Sequence, residues 1–110
     1  MIYFKPGVLI DNIRPEMVVG MMVAHEAFRT EGADLFVTSA NDRRHSEMSL
    51  HYAGQALDYR THVLDDDMVK VSVVGLINKA CPADFDCLLE SIGSPNEHIH
   101  HEWQPKRSNR

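Results

Sequence analysis

The sequence predicts an α+β domain in which a small antiparallel sheet carries two main helices. Two stretches repeat apolar residues at three- and four-residue intervals, while four short stretches are β-prone or alternate. Their order is helix, strand, strand, helix, strand, strand, without the regular strand–helix alternation of a parallel sheet. At 110 residues, 44% of them hydrophobic, the chain reads as one domain over 1–110 that buries a single modest core without help from disulfides or metal. No repeat divides it, and only 104–110, polar and basic, reads as a frayed tail.

Pro15 suits the first turn of a helix and Glu16 its positive end. Val18, Met21, Met22, His25 and Phe28 then mark one face, up to Gly32. Leu35 to Thr38 is a strand, and Ser39 to Leu50 is polar and aperiodic, hence a loop. A second strand covers Ala56 to Arg60. Asp65, Asp66 and Asp67 supply a cap and negative charge ahead of a helix over Met68 to Ala80, with Met68, Val71, Val74 and Ile77 inward and Pro82 as its stop. Phe85 to Ser91 and His98 to Trp103 form a hairpin about Gly93-Ser94-Pro95-Asn96.

A formal charge of -5 argues against nucleic acid, whose backbone demands a broad cationic footprint. The chain opens without the basic and apolar regions of a secretory signal, and no apolar run is long enough to span a bilayer. Synthesis in the cytoplasm, no stable membrane insertion and a monomer are expected. Cys81 and Cys87 lack Cys-x-x-Cys spacing and read as ordinary thiols, with a local bridge as the alternative.

The chemistry gathers in two segments, His51-x6-Asp58 and the later Glu97-His98-Ile99-His100. A catalytic zinc keeps three ligands drawn from His, Asp, Glu or Cys and leaves a fourth position for water. His51 and Asp58 can converge only if the chain turns between them, which Gly54 permits. Beyond that turn Ala56, Asp58 and Arg60 share one strand face, and Leu57 and Tyr59 pack on the other. On the last strand His98, His100 and Glu102 face one way and Ile99, His101 and Trp103 the other, so two imidazoles can sit beside Asp58.

Other chemistry-bearing residues have plainer readings. Of seven histidines, His25, His45, His62 and His101 are expected to satisfy core hydrogen bonds or meet solvent, with His45 also able to line a cleft. The three aspartates lack the glycine and distal glutamate of a calcium loop. Ser39, Ser46 and Ser49 lack a Gly-x-Ser-x-Gly elbow. Met17, Met21 and Met22 read as core filler.

Ser49-Leu50-His51-Tyr52-Ala53-Gly54-Gln55-Ala56-Leu57-Asp58 resembles the Ser-x-His-x-x-Gly-x-Ala-x-Asp signature of zinc D-alanyl-D-alanine carboxypeptidases and phage L-alanyl-D-glutamate endopeptidases. Glu97 to Trp103 is similar to that family's acidic-x-x-His ending, and Val37-Thr38-Ser39 followed by Arg43 or Arg44 resembles its upstream strand and arginine. The resemblance implies the hedgehog/DD-peptidase fold, with His51, Asp58 and His100 as zinc ligands. It makes Glu97 the general base for zinc-bound water, His98 a neighbouring transition-state-stabilising residue and Arg43, or Arg44, the holder of a substrate oxygen. The segment between Arg43 and His51 lacks the carboxypeptidase branch's Tyr-Arg-Ser pattern, and no cell-wall-binding repeat is present.

The expected activity is zinc-dependent hydrolysis of a peptidoglycan stem-peptide bond, reached through phage-type release or virion delivery. Two alternatives stand beside it: a non-catalytic, zinc-stabilised binding or structural module of the same fold, and two unrelated histidine clusters on an ordinary domain.

Overall fold

The computed structural model describes residues 1–40 and 54–105. Strand β1 spans Ile2–Phe4, helix α1 Pro15–Arg29, β2 Leu35–Ser39, β3 Ala56–Arg60, helix α2 Asp67–Ala80, β4 Phe85–Glu90 and β5 His98–Trp103. The strands form one five-stranded sheet in the order β1-β2-β3-β5-β4. The expected α+β order is present, but the sheet is mixed rather than antiparallel. β1 runs parallel to β2, and the other three pairings are antiparallel. Three residues cannot display a period. β1 is a strand because Leu35 N–H donates to the Met1 carbonyl at 3.0 Å and Lys5 N–H to that of Val37 at 2.9 Å.

Helix α1 starts at Pro15 as its fixed φ favours, but its buried face is Met17, Gly20, Met21, Ala24, Ala27 and Phe28. Of the expected stripe, Met21 and Phe28 are inside, while Val18 and Met22 are 40% and 52% exposed. The helix has rotated toward its small residues, which let it lie close to the sheet. A β-carbon on Gly20 would sit 3.0 Å from the Phe85 ring and 3.1 Å from His101, so close approach displaced a larger apolar contact.

Helix α2 is capped by Asp66, whose carboxylate accepts from Val69 N–H at 2.9 Å. Val73 and Ile77 are its buried residues; Val74 packs at the core's edge, and the expected Met68 and Val71 face out. The helix rests on β4 and α1 at the border of the sheet, where only a narrow stripe can be covered. Both helices lie on the sheet face that carries Leu35, Val37, Leu57, Tyr59, Cys87 and Ile99, and Phe28 meets Tyr59 edge to face. Cys81 and Cys87 are free thiols, and burial pushes the Cys87 thiol up to about 12. Among the described residues no helix is long and apolar enough to cross a membrane.

Candidate functional site

The second face of the sheet is polar, and strand register puts its chemistry in rows. Asp58 pairs with His100, and Arg60 with His98, across β3 and β5. His100 and His98 pair in turn with Leu88 and Glu90 of β4. The alternation expected from sequence holds: Leu57, Tyr59, Ile99 and His101 are buried on the helix side, while Asp58, His98, His100 and Glu102 are half-buried on the other. Beside Asp58 a register shift between Val37 and Ser39 breaks the β2–β3 ladder, the kind of irregularity that re-aims a side chain at a sheet's working end.

Gly54 explains how the chain reaches β3. Its φ is +72°, and a β-carbon there would collide with the Asn12 carbonyl oxygen. Its own carbonyl accepts from Arg14 N–H at 2.9 Å. Glycine is required twice at this position, for its left-handed backbone and for contact with the segment leading into α1.

His100 Nδ1 is 3.0 Å from Asp58 Oδ1, and its Nε2 is 2.9 Å from Glu102 Oε1. Burial alone would lower the His100 pKa, but hydrogen bonds to these two carboxylates outweigh it and bring the group up to about 9. His98 stands beside them with Nε2 3.9 Å from the same Asp58 oxygen and 3.0 Å from Glu90 Oε1. Its Nδ1 faces the Asn96 carbonyl at 2.8 Å.

The donor chemistry suits zinc. A tetrahedral ion with nitrogen and oxygen ligands at about 2.0–2.2 Å needs those atoms roughly 3.3 Å apart, close to the 3.0 Å separating Asp58 and His100. Glu102 is then the outer carboxylate that a ligating histidine characteristically keeps on its other nitrogen. Among the described residues, however, no three His, Cys, Asp or Glu side chains gather closely enough to hold a metal ion by themselves. His51, the third expected ligand, lies outside the described residues, as do Arg43, Arg44, His45, Ser46 and Ser49.

Glu97 lines a cleft of about 360 Å³ together with Asp58 and His98, yet its carboxylate is engaged. Lys70 Nζ lies 2.8 Å and Thr61 Oγ1 2.6 Å from Oε1, and Gly93 N–H donates to Oε2 at 3.0 Å. Lys70, then Thr61 and Gly93, hold its carboxyl at about 2. No spacing in the sequence announces Lys70 as its partner, because helix α2 brings that side chain in from a distant segment.

The plain readings of His101 and His62 are visible, whereas His25, expected in the core, is half-buried and meets the amino terminus. His101 is wholly buried, its Nδ1 2.7 Å from the Tyr59 hydroxyl and its Nε2 3.7 Å from Cys81 Sγ. Burial, then the neighbouring His100, lowers it to about 4. His25 Nε2 lies 3.1 Å from the amino terminus, and His62 is exposed at the rim of the cleft. Compared with protein-family models, curated proteins and solved structures, the chain matches none.

Proposed function

We propose that this chain is a zinc-dependent peptidase of the hedgehog/DD-peptidase fold that hydrolyses a stem-peptide bond of peptidoglycan, at D-Ala-D-Ala or L-Ala-D-Glu. The observation that carries the proposal is the Asp58–His100 pair, 3.0 Å apart on the open face of the sheet, with Glu102 behind the imidazole. The constrained Gly54 supports it too, since it sits at the glycine of the Ser49–Asp58 motif.

Zinc held by His51, Asp58 and His100 would supply Lewis acidity, polarising the scissile carbonyl and lowering the pKa of a water to about 7. Glu97, held near 2, is negative throughout the neutral range and stores a proton poorly. Its part is to accept the hydrogen bond of the attacking water and relay that water's proton to the leaving amine. His98, with Nδ1 against the Asn96 carbonyl and Nε2 against Glu90, is the neighbouring transition-state-stabilising residue. Arg43, or Arg44, holds the substrate oxygen on which negative charge develops.

A second reading is favoured by the same Glu97 contacts: a carboxylate tied to Lys70, Thr61 and Gly93 also fits a module that keeps zinc for stability without turnover. Metal analysis with mass spectrometry of digested muropeptides separates the two. One zinc per chain with stem-peptide cleavage, lost in Asp58→Ala, supports the peptidase. Bound zinc without cleavage supports the module, and a protein that takes up no zinc ends both.

A further inference from the structure

The cleft that holds Asp58 and Glu97 continues past them to Lys5, Thr38, Ser39 and Arg60, residues that the peptidase reading leaves unused. The two carboxylates of the lining are already answered, Asp58 by His100 and Glu97 by Lys70. The two strong cations are not. Among the described residues neither Lys5 nor Arg60 is paired with a carboxylate. Acids outnumber bases in this chain by 16 to 11, so a shortage of acidic partners does not explain it.

Arg60 is held in place by other means. Its guanidinium carbon lies 5.1 Å from the centroid of the Phe36 ring, which stacks in turn on Tyr3 at 4.9 Å. Stacking orients the planar fork while leaving its N–H donors free. Ser39, at the register shift of β2, is only 3% exposed, and among the described residues its Oγ is buried without a hydrogen-bond partner. Buried hydroxyls are nearly always partnered, so an unpartnered one beside a cleft is a polar atom that a ligand, a water or an ion would satisfy.

We infer that Arg60, Lys5 and Ser39 form a carboxylate subsite of this cleft, in which Arg60 and Lys5 take the negative charge of a peptide's carboxylate and the Ser39 hydroxyl donates to one of its oxygens. Asp58 and Glu97 in the same lining favour a singly charged group over a dianion such as phosphate. The inference rests on the peptidase reading for the ligand being a peptide. The anion preference comes from the cleft itself.

Calorimetric titration of the full chain tests it, using N-acetyl-D-alanyl-D-alanine and N-acetyl-L-alanyl-D-glutamate, each as free acid and as carboxamide, with products followed by mass spectrometry. At least one acid should bind about tenfold more tightly than its amide. Arg60→Gln and Lys5→Gln should each erase most of that difference, with the melting temperature showing both variants folded. Ser39→Ala should weaken the acid alone. Equal affinity for acid and amide in both peptides, or a preference that survives both Arg60→Gln and Lys5→Gln, overturns the subsite. Acid-selective binding without cleavage counts against the peptidase and leaves the subsite standing. Cleavage without acid selectivity does the reverse.

Discussion

Lys70 Nζ on α2 meets Glu97 Oε1 at 2.8 Å, and both side chains are largely withdrawn from water, 14% and 10% exposed. This contact ties the second helix to the turn that leads into β5, the strand that carries His98 and His100. Its carboxylate is depressed from 4.5 to about 2, so it stabilises the fold above the unfolded value and loses that contribution as pH falls through 2. Lys70→Met should therefore cost on the order of 1–3 kcal/mol near neutrality and flatten the acid limb of the stability curve. Urea melts of both proteins between pH 2 and pH 5 check this; parallel curves would remove the pair from the account.

His101 behaves in a different window. Its pKa falls from 6.5 to about 4 on folding, so stability is complete above the unfolded value and drains away as pH falls from there through 4. The loss should be on the order of 3 kcal/mol. NMR titration of the imidazole protons should show a neutral ring at pH 5; a charged one would contradict its burial against Tyr59.

Asp58→Ala removes the charged partner of His100. If the proposed zinc site is right, zinc affinity by chelator competition should drop at least about a hundredfold, since a proposed ligand and its charge are both lost. Unchanged affinity would take Asp58 out of the metal site.

Gly54→Ala meets two obstacles, a φ of +72° and the Asn12 carbonyl. A loss of roughly 2 kcal/mol or more is expected, with the denaturation midpoint as the measure. By contrast Gly75→Ala, where a β-carbon meets nothing within 4 Å, should stabilise α2 by about 1 kcal/mol.

Two kinds of information separate at this site. Period-two alternation along Ala56–Arg60 and His98–Trp103 is a local property of extended backbone, so Asp58, His98, His100 and Glu102 could be assigned to one face from the sequence alone. A cap within Asp65–Asp67, the start at Pro15 and a turn at Gly54 were legible for the same reason, each being a rule about adjacent residues. The Asn12 carbonyl that also excludes a side chain at 54 comes from a distant segment.

Whatever depends on distant segments meeting was decided only by the tertiary structure. Parallel pairing with β2 made a strand of Ile2–Phe4, and close packing over Gly20 turned α1 away from its larger apolar stripe. Helix α2 delivered Lys70 to Glu97, and the five-strand order brought Lys5, Ser39 and Arg60 into one cleft with Asp58. The physical reason is that backbone geometry repeats over a few residues, whereas the charge and burial a side chain meets depend on which remote elements pack beside it.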